Sequence, residues 1–227
     1  MADETRVPSP EEIAAKVARD EAEARKLTAE AAKWEADAAL REMEREKAER
    51  QRDEELASNK YNHVYRFAST VSATSVADCI AQLDVWHRLN PACDIRIVFT
   101  SPGGDVIDGF ALFDHIRQIQ AAGHKITTVA LGEAASMAGI LMMVGDHRVM
   151  GREAWLLIHR ASFGAIGSTY QIEDKVEFVK RIEKRIINIF VSRSKLTAAK
   201  IKRNWERKDW WLSSDECLEL ELVDEVV

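Results

Sequence analysis

From Glu11 to Ser58 the chain contains neither glycine nor proline and is dominated by alanine, glutamate, arginine and lysine. A stretch of that kind has nothing in it to end a helix, and its commonest residues lose little side-chain freedom in one. Its start is marked as well. Ser9 supplies an N-cap, Pro10 a proline at the first helical position, and Glu12 the acid that closes a capping box. One helix from Ser9 to about Ala57 is therefore predicted, behind a mobile tip over residues 1–10 that carries Pro8 and Pro10.

Val17, Ala24, Ala31 and Ala38 fall seven residues apart along this helix, as do Leu27 and Trp34, whereas Asp20 and Arg41 interrupt the second series. The seam is short and mostly alanine. A solvated single helix is the plain expectation, and a docking arm for a partner or sister subunit is the sharper one.

The charge follows the same division. The 227 residues hold 32 Lys+Arg and 38 Asp+Glu, a net charge of −6. Met1–Ser58 has 17 acids and 11 bases, and the remainder has 21 of each, so the whole excess lies in the N-terminal quarter. An acidic chain with no basic block is not expected to bind nucleic acid. No run of about 18 apolar residues is present, so no membrane helix is expected, and the polar N-terminus does not read as a secretory signal. Cys79, Cys93 and Cys217 are odd in number and form no CxxC pair. They read as reduced thiols in a cytoplasmic protein, with no metal site and no cofactor.

From Asn59 onward the texture changes. Residues 61–67 and 94–100 read as strands around an amphipathic helix at 75–89. A helix at 106–122, a strand at 125–131, a short helix from Ser136, and strands at 147–150 and 154–159 follow. Next come a long helix at 168–193, short helices at 197–204 and 213–220, and a last strand at 223–227. Alternating strands and helices predict an α/β fold with a mostly parallel sheet. The expected units are a charged helical arm, residues 1–58, and a domain over residues 59–227.

Three junctions in this domain could carry chemistry. Thr100-Ser101-Pro102-Gly103-Gly104 links a strand to a helix, and its glycines let the backbone approach a ligand or simply make a turn. Gly132-Glu133-Ala134-Ala135-Ser136-Met137 is a second such junction, built of small residues. Ser136 there is either a helix cap or a nucleophile on a packed elbow, where a helix N-terminus favours negative charge. His159 ends the apolar run Trp155-Leu156-Leu157-Ile158, placed to act as a base or to sit hydrogen-bonded at a sheet edge. His63, His87, His115, His124 and His147 are expected to be surface groups. Asp209 stands in a charged loop before Trp210-Trp211-Leu212, and on its own reads as a solvated acid.

In this order and spacing the junctions resemble the ClpP family, the serine peptidase subunits of the ATP-dependent Clp protease, within the wider ClpP/crotonase fold. The similar stretches are Asn90-Pro91 through Ser101-Pro102-Gly103-Gly104, Gly132 through Met137, Ile158-His159, and Trp211-Leu212-Ser213-Ser214 with Leu222-Val223-Asp224. The resemblance implies the family's repeated β-β-α superhelix, here with a long N-terminal helical extension. It implies Ser136 as nucleophile, His159 as general base and Asp209 as the acid that orients it. It further implies backbone N–H groups of Gly103 and Met137 as the oxyanion hole, and Gly104 and Val106 as the grip on a substrate strand. A polypeptide substrate and a homo-oligomeric ring are the partners it implies. The arm is similar to those of ClpP-like proteases encoded by phages, which act in a host cytoplasm.

Two departures qualify that reading. The arm replaces the family's short pore-lining segment, and no clear sign of the pocket for an unfoldase loop is present, so an AAA+ unfoldase partner stays open. After His159, Arg160-Ala161-Ser162-Phe163-Gly164 replaces a proline-containing turn. The resemblance implies that the helix at 168–193 is the handle that interlocks two rings in the family, while a single buried helix face is the plainer reading of its apolar spacing. Three other functions remain as alternatives: a crotonase-type enzyme acting on acyl-CoA thioesters, with Glu133 as its acid; a non-catalytic ring subunit; and a Ser–Lys peptidase with Lys175 or Lys184 as base.

Overall fold

In the computed structural model, which describes residues 9–206 and 208–227, Ser9 caps the first helix. The Glu12 N–H donates to Ser9 Oγ at 3.2 Å and the Ser9 N–H donates to Glu12 Oε2 at 2.8 Å, closing both arms of the capping box. Helix α1 then runs unbroken over Pro10–Leu56 with no buried residue. Most of the expected mobile tip, residues 1–8, lies outside the described residues. The chain divides into two units, Met1–Ser58 and Asn59–Val227.

The second unit alternates strands and helices. In order they are β1 (Val64–Phe67), α2 (Ala73–Leu89), β2 (Asp94–Ser101), α3 (Val106–Ala121), β3 (Lys125–Ala135), α4 (Met137–Met142) and β4 (His147–Met150). Then follow β5 (Trp155–Ile158), α5 (Thr169–Arg193), α6 (Ala198–Trp205), β6 (Trp210–Ser213), α7 (Ser214–Glu219) and β7 (Glu225–Val226). Strands β1, β2, β3, β4 and β7 lie side by side, all parallel. Strand β3 is shared between two neighbours: Thr127–Ala130 pair with β4, and Glu133–Ala135 pair in parallel with β5. Gly132, at φ +73°, marks the change of partner.

One face of the sheet carries the main core. Ile95, Ile97 and Phe99 of β2 alternate inward and meet Leu112 and Ile116 of α3 and Leu83 of α2, all essentially inaccessible. Three valines in register across β2, β3 and β4, Val98, Val129 and Val149, make a smaller cluster of their own. Cys79 and Cys217 are buried free thiols, and burial pushes the Cys217 thiol up to about 12. Among the described residues, no helix is long and apolar enough to cross a membrane.

Besides the shorter β1 and β7, expected over 61–67 and 223–227, the structure departs from the sequence reading in three places. Strand β3 continues through the small residues beyond Leu131 as far as Ala135. Residues 210–213, expected as loop and helix start, form strand β6. His124, expected at the surface, is 2 % exposed. Its ring is held inside by polar partners: Nδ1 lies 3.0 Å from the Cys93 carbonyl oxygen and Nε2 lies 3.0 Å from His87 Nδ1.

The C-terminus is tied down by one buried arginine. Arg148 Nε and Nη2 donate to Asp224 Oδ2 and Oδ1 at 3.0 and 2.5 Å, and Nη1 donates to the carbonyls of Arg193 and Glu221. Burial alone would raise the Asp224 carboxyl, but the hydrogen bonds and charge of Arg148, helped by His147, outweigh it and hold the group below its ordinary value. A carboxyl so depressed stabilises the fold above its unfolded pKa of about 3.9, and that contribution is lost as pH falls through the folded value. Asp224→Ala is expected to cost about 2 kcal/mol in urea unfolding at pH 7, because it strands a buried guanidinium. The deficit should shrink as wild type and variant are compared below about pH 4.

Candidate active site

Ser136 sits between β3 and α4 with φ +54° and ψ −120°, outside the regions open to L-residues at low energy. Strain of this kind costs on the order of 1–3 kcal/mol and persists only where the surroundings impose it. Here its N–H donates to the Leu157 carbonyl at 3.1 Å, and Ala134, Ala135 and Met137 around it are buried. Small neighbours are required by the packing: a Cβ on Gly139 would lie 3.0 Å from the Ala134 carbonyl oxygen. The Ser136 side chain makes no cap hydrogen bond. Its Oγ lies instead 2.7 Å from His159 Nε2.

His159 is the first residue beyond β5. Strand β6 runs antiparallel to β5 with Ile158 opposite Trp210, so the next pair outward along the ladder is His159 and Asp209. The register accounts for their meeting: His159 Nδ1 stands 3.4 Å from Asp209 Oδ1. That is an ion-pair separation, longer than a well-formed hydrogen bond, and the Asp209 side chain is 59 % exposed. With the ring proton on Nδ1, toward the carboxylate, Nε2 would be the atom that accepts the Ser136 hydroxyl proton.

The glycine junction closes on the same serine. A Cβ placed on Gly103 would fall 2.7 Å from Ser136 Cβ and 2.8 Å from the Met137 nitrogen, so Gly103 and Met137 flank Ser136 directly. The Gly103 N–H is engaged, donating to Ser101 Oγ at 3.2 Å, while Ser101 Oγ donates to the Ser69 carbonyl at 2.6 Å. Beyond it, the Val71 N–H donates to the Gly103 carbonyl and the Asp105 N–H donates to the Val71 carbonyl, both at 2.8 Å. That parallel bridge turns Gly104's own N–H and C=O to the opposite edge. Val106 begins α3 and lines the recess beside Ser136 with Met137, Ile140, Leu157, Ile186 and Phe190. The recess is apolar and holds only about 20 Å³.

Sequence reasoning missed one pair beside this site. Arg160 Nε and Nη2 donate to Glu183 Oε1 and Oε2 at 2.9 and 3.1 Å, and Glu183 is buried on α5. The hydrogen bonds and charge of Glu183 raise the Arg160 guanidinium above its ordinary value. The signal for it was a lone acid in the apolar register of α5, four residues after Val179 and three before Ile186. The residues named in the alternatives lie elsewhere: Lys175 Nζ stands 5.8 Å from the Phe178 ring centre, and Lys184 lines a cavity with Arg160, Lys202 and Trp205. Glu133 lies in β3 opposite Trp155 of β5.

The Clp protease family model matches residues 46–227 of this chain. The chain belongs to the Clp protease family. Among curated members of that family, the ATP-dependent Clp protease proteolytic subunit of Deinococcus radiodurans is 31 % identical over 164 residues, covering 71 % of this chain and 78 % of its own. A protein of Chlamydia trachomatis serovar D, ATP-dependent Clp protease proteolytic subunit 1, is 30 % identical over 165 residues, covering 71 % of this chain and 84 % of its own. As a member of the Clp protease family the chain is a serine-type endopeptidase, and its mixed α/β sheet with a long N-terminal helix is that family's fold with an extension.

Proposed function

We propose that peptide bonds are hydrolysed through Ser136, His159 and Asp209, and that Asn59–Val227 is the peptidase domain and residues 1–58 an appended arm. The observation that carries this reading is the 2.7 Å contact between Ser136 Oγ and His159 Nε2, made by a serine in a strained conformation that leaves its helix uncapped. A serine hydroxyl becomes nucleophilic when an adjacent imidazole takes its proton. His159 accepts that proton as Ser136 attacks the scissile carbonyl and returns it to the leaving amine. It then takes a proton from the water that cleaves the acyl–Ser136 ester and gives it back to Oγ. Asp209 orients the ring and stabilises its cationic form. The tetrahedral oxyanion is held by the N–H groups of Gly103 and Met137, Gly103 exchanging its bond to Ser101 for one to the substrate. Gly104 offers its free edge to an extended substrate, and Val106 stands beside it in the grip on that strand.

Assembly into a homo-oligomeric ring is part of the proposal. It is supported by the apolar side chains that α5 exposes, Tyr170, Ile172 and Phe178, and by relatives named as subunits of an ATP-dependent protease. The same names support a nucleotide-driven partner and an interior of the cell as the place of action. A fluorogenic peptide amide and an acyl-CoA thioester, offered to wild type and to Ser136→Ala, separate the chemistries. Peptide turnover that vanishes in the variant is expected; thioester turnover indifferent to the substitution would restore the crotonase-type reading.

A further inference from the structure

Helix α1 leaves an apolar seam without cover. Ile13, Val17, Leu27 and Trp34 are each at least half exposed, Trp34 at 71 %. With Val17, Ala24, Ala31 and Ala38 as the a positions of a heptad, Leu27 and Trp34 fall at d. The charges are sorted about this seam. Of the eight flanking e and g positions between Glu21 and Glu44, seven are acidic and the eighth is Thr28. Arg19, Arg25, Lys26 and Lys33 all fall at b or c, away from it, while Lys16 at g, and Asp20 and Arg41 at d, bound the stretch in which this holds.

That sorting selects the occupant. In a parallel pair of α1 helices the g-to-e contacts would set Glu30 against Glu35 and Asp37 against Glu42; in an antiparallel pair g meets g and e meets e, again acid against acid. A second copy of this helix is disfavoured in both orientations, since Lys16 against Glu21 is the one attractive g-to-e contact of the parallel pair and acid meets acid at three others. Nucleic acids and anionic membranes are rejected by the same charges. What fits is a helix that brings bulky apolar residues to the alanine positions and lysine or arginine to its own flanks. We infer that α1 is a docking arm for a basic-flanked amphipathic helix of a different protein. The alanines permit close approach, Leu27 and Trp34 supply the apolar contact, and the acidic borders set the choice of partner.

The test uses the full-length protein and three labelled synthetic peptides. One has leucine and isoleucine at a and d with lysine at e and g; the second has glutamate at e and g; the third is a scrambled form of the first. By fluorescence anisotropy the lysine-flanked heptad peptide should bind at least about tenfold more tightly than either other peptide. Leu27→Asp should remove its advantage over the scrambled peptide. Reversal of Glu30, Glu35, Asp37 and Glu42 to lysine should transfer the preference to the glutamate-flanked peptide. Equal binding of the heptad and scrambled lysine peptides, equal binding of both heptad peptides, or no binding overturns the inference. So does a change in sedimentation of the chain alone on Leu27→Asp, which would make the seam a contact between copies.

Discussion

His159→Ala is expected to lower peptide hydrolysis by roughly 10³-fold or more, Ser136→Ala by a similar factor, and the double substitution by little more than either. The reason is geometric. Ser136 Oγ and His159 Nε2 are 2.7 Å apart and act as one unit. Without the imidazole the hydroxyl keeps its proton, and without the hydroxyl the imidazole has nothing to activate. Removing both therefore removes the same step once. Asp209 should behave differently. It stands 3.4 Å from Nδ1 on an exposed loop, and Asp209→Asn should lower turnover less than loss of His159 does. Losses that multiply in the double variant would contradict coupled action, and hydrolysis retained in His159→Ala would move the base to a lysine. Steady-state kinetics on a peptide substrate read all four outcomes.

Gly103→Ala is the second large effect. The residue has φ +88°, and an added Cβ would stand 2.5 Å from the Ala135 carbonyl oxygen, 2.7 Å from Ser136 Cβ and 2.8 Å from the Met137 nitrogen. Two of those three neighbours are backbone atoms of the elbow itself, so relief must come from moving the elbow or the glycine loop. Either motion separates the N–H groups proposed to hold the oxyanion. Loss of one such donor typically costs roughly 10²–10³ in turnover, and that is the expected loss here. Because strain at one loop could also lower stability, the variant's urea midpoint should be measured beside its kcat/KM. A folded variant within threefold of wild type would remove Gly103 from the site.

What the sequence made legible was local. The capping box at Ser9 and Glu12, the uninterrupted helix behind it, the strand-to-helix turn after Ser101 and the passage from strand to helix at Ser136 depend on near neighbours, and the structure has them, with β3 taking in 132–135. What escaped depends on distant pairing. Strand β6 is four residues long and becomes a strand only because Trp210–Ser213 meet β5 some fifty positions earlier. That same register brings Asp209 to His159, so an acid that looked solvated on its own acquires a partner through the sheet. Glu183 was hidden for a related reason: a single acid within an apolar face gives no sign of Arg160, 23 residues upstream. The burial of His124 likewise follows from contacts to Cys93 and His87 on other elements.

The claim that Ser136 is the nucleophile is tested most directly by a fluorophosphonate probe followed by peptide mapping. Labelling at Ser136 alone, slowed in His159→Ala and absent in Ser136→Ala, is the predicted result. A label carried on another residue, or one that persists in Ser136→Ala, contradicts it.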